Sequence, residues 1–158
     1  MPYQLSCPFC TEGFSENAFM ENGDFIAVYN IAPILPGHSM IIPKKHIKSL
    51  FELSESQITE LFSFTRKVTK FLSEVFEADG FDWSLQENEV AGQTVEHLHL
   101  HIVLRKKGDL SSPGKWYPMI EDNENQLLDS KSRKRLDQDS YKKITVFLKE
   151  KAAKSHIK

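Results

Sequence analysis

The stretch Gln93-Thr94-Val95-Glu96-His97-Leu98-His99-Leu100-His101 sets three histidines in alternation with leucines inside an apolar run. At the two-residue period of a β-strand, all three imidazoles point to one face and the leucines to the other. Imidazoles are costly to bury in a row, because their ring nitrogens need partners once water is gone. The row therefore reads as a chemical site; the alternatives are a metal-binding tract or a histidine-rich strand without chemistry. An unperturbed imidazole is largely neutral at pH 7, so its lone pair can serve as a nucleophile when an acceptor fixes the other nitrogen. His99 has same-face neighbours two residues away on both sides and is the best nucleophile candidate.

A second cluster lies near the start of the chain. The only two cysteines sit together in Cys7-Pro8-Phe9-Cys10. A disulfide scaffold would spread its cysteines to close long loops, which leaves a redox pair or half of a metal site. The redox reading wants the pair after a strand and at the start of a helix, and no strand precedes residue 7. The spacing favours two thiolate ligands of a zinc ion, which takes four sulfur or nitrogen donors. Partners for them must come from His38, His46, His97, His99, His101 and His156.

The elements that must position these groups are legible in part. Phe25–Tyr29 and Met40–Ile42 read as strands, joined by a loop with Pro33, Pro36 and Gly37. Ser54 and Gln57 form a capping box with Leu53 and Ile58 as its hydrophobic staple. Ile58, Leu61, Phe62, Thr65, Val68, Leu72, Val75 and Phe76 then recur at helical spacing as a core face, up to Asp79-Gly80. Phe81–Gln86 is read as a third strand in a hairpin with a strand over His97–Leu104. Ser140–Lys154 is expected to be a terminal helix with Ile144, Phe147, Leu148 and Tyr141 on one face. The sum is a small α+β domain over residues 1–158, with a meandering antiparallel sheet, one long helix and a C-terminal extension from about residue 110. Lys131, Arg133, Lys134 and Arg135 form a basic cluster, read as a solvated helix end. The net charge of −2 gives no polyanion signal, so any phosphate affinity must be local. No apolar run approaches a membrane span and no signal-peptide core is visible, which predicts a soluble cytoplasmic protein.

The run His97 to Val103 resembles the signature of the histidine triad (HIT) nucleotide-binding family, His-φ-His-φ-His-φ-φ with φ apolar. Asn30, Pro33 and Pro36-Gly37-His38 resemble the N-terminal loop of that family's fragile histidine triad branch. Ser84-Leu85-Gln86, Ala91-Gly92-Gln93-Thr94-Val95 and Arg105-Lys106-Lys107-Gly108-Asp109 resemble its second hairpin and the segment after its triad, although Leu104 stands where a proline is usual. The similarity covers roughly residues 25 to 109. It implies a HIT-like fold and hydrolysis of dinucleoside polyphosphates through a covalent nucleotidyl-histidine on His99. It further implies that His38 supports the nucleophile and that Asn30 lies near a ribose. Gln86 would meet the bridging oxygen, and Gln93 and His101 the α-phosphate. Thr94 and the Arg-Lys-Lys-Gly-Asp tail favour this branch over the phosphoramidases of the Hint branch. A nucleotide-sensing module is the reading of a different class.

The same resemblance completes the metal site. Pro43-Lys44-Lys45-His46-Ile47 is similar to a segment of zinc-bearing bacterial HIT proteins and of galactose-1-phosphate uridylyltransferases, which implies structural zinc on Cys7, Cys10, His46 and His97. The animal members of the fragile histidine triad branch lack the cysteine pair. Kinship to the family also implies a homodimer, and Phe62, Phe64, Phe71 and Phe76 place aromatics on more than one side of the long helix. Ser111–Leu128, with Trp116 and Tyr117, is expected to be a lid that orders over the outer part of the substrate.

Overall fold

The computed structural model describes residues 7–115 and 134–155. Trp116, Tyr117, Lys131, Arg133 and His156 lie outside them, and with them most of the expected lid. Five strands form one antiparallel sheet: β1 (Ala18–Glu21), β2 (Phe25–Tyr29), β3 (Ser39–Pro43), β4 (Gly80–Leu85) and β5 (Leu100–Arg105), in the order β1-β2-β3-β5-β4. Helix α1 (Glu55–Phe76) follows β3, and helix α2 (Gln138–Lys154) ends the described chain. This is the α+β meander expected.

Strand alternation divides the sheet into two chemically different faces. Phe25, Ala27, Tyr29, Ile41, Leu98, Leu100, Ile102 and Leu104 meet Leu61, Phe64, Val68, Phe71 and Leu72 of α1, together with Leu148 of α2, in the main core. The intervening Ile26, Val28, Met40 and Ile42 form a smaller cluster with Phe9, Phe14 and Ala18. Full burial of each large side chain contributes roughly 1.5–3 kcal/mol, so the helix-covered face fixes the register.

Helix α1 starts as expected. Ser54 accepts from the Gln57 amide and the Gln57 side chain accepts from the Ser54 amide, satisfying donors at the helix start. Its end differs from the expectation at Asp79-Gly80: Glu77 takes the left-handed conformation at φ 52° and closes on the Ser73 carbonyl. Gly80 is instead drawn into β4 opposite Arg105, after the Asp79 amide has bonded the Arg105 carbonyl at 2.9 Å. Phe62 departs from its expected place in the core. It is 42% exposed and leans on Trp83, whose indole N–H donates to the Thr69 hydroxyl at 2.9 Å. In α2, Leu148 is buried but Phe147 faces outward, and Thr145 takes the inner position.

The triad strand also begins later than expected, at Leu100 rather than His97. His97 ends a bend and His99 lies just before the strand, held where the Leu98 amide donates to the Ile47 carbonyl at 2.6 Å. The first strand, β1, has no counterpart in the sequence reading. Its residues Ala-Phe-Met-Glu carry little strand preference, and it forms as the edge partner of β2 with a register shift between Ala18 and Met20.

Gly37 is the hinge that delivers His38 to β3. It has φ +87°, its amide donates to the Tyr29 hydroxyl at 3.2 Å, and an added Cβ would lie 2.5 Å from the Leu104 Cδ1. Left-handed strain and overpacking against Leu104 therefore act together. Gly37→Ala should lower stability by about 2–4 kcal/mol in urea unfolding; a loss under about 0.5 kcal/mol would show that the loop adapts freely.

Candidate active site and metal centre

The 3-10 turn Pro8–Cys10 closes with the Cys10 amide on the Cys7 carbonyl at 3.1 Å, which brings both sulfurs to one side. Cys7 Sγ lies 3.5 Å from His97 Nδ1, and Cys10 Sγ lies 3.4 Å from His97 Nδ1 and 3.3 Å from His46 Nδ1. The four donor atoms are all within 4.8 Å of one another. A tetrahedral zinc with ordinary bond lengths sets sulfur and nitrogen ligands about 3.5 Å apart, so the group fits such an ion.

Proton placement agrees with that fit. His97 Nε2 donates to the Pro43 carbonyl at 2.9 Å, which leaves the Nδ1 lone pair facing the cysteines. Burial pushes the His97 pKa down to about 4, and the neighbouring His46 and His99 push the same way. Burial, then the bond to Cys7 and its charge, raises Cys10 to about 11. Two adjacent thiols become thiolates readily only when a cation balances them. Both cysteines are free, so this is no disulfide. His46 is anchored less firmly than His97, since its Nε2 is buried without a partner among the described residues.

The other two triad histidines are set in opposite senses. His99 Nδ1 donates to the His97 carbonyl at 2.7 Å, leaving Nε2 as the basic nitrogen. Its ring is 7% exposed, and burial lowers its pKa, so it is held neutral. His38 Nδ1 accepts from the Ile34 amide at 3.1 Å, which places its proton on Nε2. That nitrogen donates to His101 Nδ1 at 2.9 Å, so the His101 proton must sit on Nε2. A basic nitrogen and an N–H donor thus occupy neighbouring rings with centroids 5.0 Å apart. The register produces this: Met40 pairs with His101, so His38 stands diagonally across the β3–β5 ladder on the same face.

Asn30 is buried beside His38, with its amide nitrogen 3.4 Å from His38 Nε2 and its oxygen accepting from the Ala32 amide at 2.8 Å. The structure brings Asn30 to His38, His38 to His101, and His97 to the cysteines. The glutamines are occupied elsewhere. Gln86 donates to the Ser84 hydroxyl at 2.5 Å. Gln93 accepts from the Asn88 amide at 2.7 Å and donates to the Lys48 carbonyl at 3.2 Å. Thr94 is exposed. A phosphate would have to draw Gln93 away from a loop in which Asn88 is itself at φ 67°.

The HIT domain family model matches residues 13–108. The chain belongs to the HIT family. A bis(5'-nucleosyl)-tetraphosphatase [asymmetrical] from Schizosaccharomyces pombe is 42% identical over 101 residues, which cover 64% of this chain and 56% of that protein. A bis(5'-adenosyl)-triphosphatase from Dictyostelium discoideum is 36% identical over 95 residues, 60% of this chain and 64% of its own. The match thus spans less than two thirds of either curated relative. Among solved structures, a Zn-bound histidine triad family protein from Mycobacterium smegmatis aligns with a TM-score of 0.66 at 25% identity, covering 94% of each chain.

The segment after the HIT signature is a clasp. Arg105 donates through Nε and Nη2 to both Asp109 oxygens at 2.9 Å, and through Nη1 to the Pro113 carbonyl at 2.8 Å. The bond to Arg105 holds Asp109 down to about 2 against the opposing effect of burial, helped by the Lys106 amide and the Arg105 charge. A carboxylate depressed on folding stabilises fully above its unfolded pKa near 4, and the gain disappears as pH falls through about 2. Asp109→Asn should therefore cost about 1–2 kcal/mol at pH 7 and progressively less below pH 4, read from unfolding curves at each pH. A constant deficit from pH 7 to pH 2.5 would contradict the pairing.

Proposed function

We propose that this protein hydrolyses dinucleoside polyphosphates at the α-phosphorus, with His99 as nucleophile. The observation that carries the reading is the pair of opposed tautomers: basic Nε2 on His99 and a proton on Nε2 of His101. In the proposed first step the His99 Nε2 lone pair forms a bond to the α-phosphorus as the bond to the bridging oxygen breaks. The departing nucleotide leaves as a phosphate anion and needs no proton. His101 donates to a non-bridging oxygen, and the His97 carbonyl stabilises the positive charge arising on the His99 ring. Water then attacks the phosphorus and releases one proton to solvent, the P–N bond breaks, and its electron pair returns to Nε2. Gln93 and Gln86 turn from their loop partners to the α-phosphate and the bridging oxygen, with Thr94 beside them and Asn30 toward the ribose. The names of the relatives support the substrate class.

In the same reading the metal is zinc, held by Cys7, Cys10, His46 and His97. Four protein ligands leave no open position, so the ion supplies structural cross-linking of the N-terminal turn to the sheet. The chain is one HIT domain with an extension from about residue 110. It works as a homodimer in the cytoplasm, where free thiols persist. Phe81 and Phe62, half exposed beside Trp83 on the edge strand β4, support the dimer. No helix among the described residues is long and apolar enough to cross a membrane.

A panel of diadenosine tri- and tetraphosphate against an adenosine phosphoramidate tests the substrate class. His99→Ala should reduce turnover of the preferred substrate at least about a thousandfold while nucleotide binding persists. Near wild-type turnover would remove His99 from its role, and a phosphoramidate preference would move the chain to the phosphoramidase reading. Elemental analysis of tag-free protein should find about one zinc per chain, and Cys10→Ser should lower it well below that. Metal-free, correctly folded wild-type protein would reject the zinc assignment.

A further inference from the structure

Phe9 is the residue the sequence reading passed over. It sits between the two cysteines on a turn that Pro8 stiffens, so wherever Cys7 and Cys10 are held, Phe9 is held too. Its ring meets His97 edge-on with centroids 5.6 Å apart, and His99 likewise at 5.4 Å and 76°. Phe14 braces it from behind at 5.2 Å. Among the described residues, His99 is otherwise fixed by its bond to the His97 carbonyl and by the His101 ring. A single hydrogen bond sets the tautomer but leaves the imidazole able to tilt about it. A rigid aromatic edge removes that freedom.

We propose that Phe9 is a positioning residue that locks the His99 ring in its attacking orientation and thereby ties the nucleophile to the metal centre. This rests on the reading of His99 as nucleophile. Two links run from the four-ligand group to that ring. His97 offers its Nδ1 to the group and its carbonyl to His99, while Phe9 stands between the two thiolate ligands and against His99. Anchoring the turn therefore orients the nucleophile without any contact between the ion and substrate. In-line attack tolerates little error, since a misplacement of about 1 Å can cost roughly a hundredfold in rate.

The test compares the metal-loaded wild type with Phe9→Ala, Phe9→Leu and Phe9→Tyr, each labelled with ¹⁵N, by two-bond proton–nitrogen correlation of the imidazoles. The wild type should show His99 as a single Nδ1–H tautomer with narrow lines. Phe9→Ala and Phe9→Leu should broaden or average that signature, with zinc content and the His38 and His101 signals unchanged. In parallel, kcat should fall about tenfold to a hundredfold with KM altered less than about threefold. Phe9→Tyr, which keeps the aromatic edge, should restore both readouts. Phe9→Leu keeps most of the volume and carries the test if Phe9→Ala does not fold. A wild-type His99 signature in these variants would overturn the proposal. So would a rise in KM alone, which would make Phe9 a substrate contact, or an equal disturbance of His38 and His101, which would make it merely structural. The ring signature is read without turnover, so retention of activity by His99→Ala would defeat the nucleophile reading separately.

Discussion

Leu98, Leu100, Ile102 and Leu104 are each 3% exposed or less beneath the two helices, and strand geometry then leaves the opposite face to His97, His99 and His101. A slip of one residue would exchange the faces. It would expose four aliphatic side chains and press three imidazoles into a largely apolar core. An unpartnered polar group in an apolar interior costs about 1–3 kcal/mol by mutational measures, so three of them approach the whole stability of a small domain. The packing of α1 on the sheet is for this reason also what aims the histidines. The smaller cluster on the far face gives them a dry surround, and His38 and the cysteine turn supply partners for their ring nitrogens.

The parts of the fold that were legible from sequence are those where one local signal dominates. The capping box at Ser54 needs only four residues, and β2 is a short run of strand formers that is buried on both sides. The cysteine pair was legible through residue type as half of a possible metal site, whereas the choice of His46 and His97 among six histidines came from the resemblance to zinc-bearing HIT proteins. What escaped depends on partners distant in sequence. β1 has weak strand preference and exists because β2 has an open edge. Helix α1 stops at Glu77, a poor left-handed residue, because β4 must begin opposite Arg105. Periodicity assigned Phe62 to the core, yet Trp83 holds it at the rim, where an edge strand leaves the sheet incomplete. The side-chain partners of Gln86 and Gln93 follow from loop shape, to which spacing is blind. Phe9 could have been found by one step of reasoning. Phe9 lies inside the cysteine pair, and His97 stands two positions from His99.

The three triad rings are chemically identical residues, and charge does not separate the first two. Burial depresses His97 and His99 alike, so both are held as neutral imidazoles. What separates them is which nitrogen holds the proton, and in every case a main-chain group decides it. The Pro43 carbonyl draws the His97 proton to Nε2 and frees Nδ1 for the cysteine side. The His97 carbonyl draws the His99 proton to Nδ1 and frees Nε2 as base. The Ile34 amide works in the opposite sense. By donating to His38 it reverses the polarity of the whole relay and turns the outer nitrogen of His101 into a donor. Carbonyl contact makes a base, and amide contact passed through one ring makes an acid. These partners are backbone atoms of β3, of the lead-in to β5 and of the loop between β2 and β3, so the placement of the ring protons is a property of the main-chain course. An Ala substitution at Ile34 would leave the relay intact, because the contact is made by the main-chain amide.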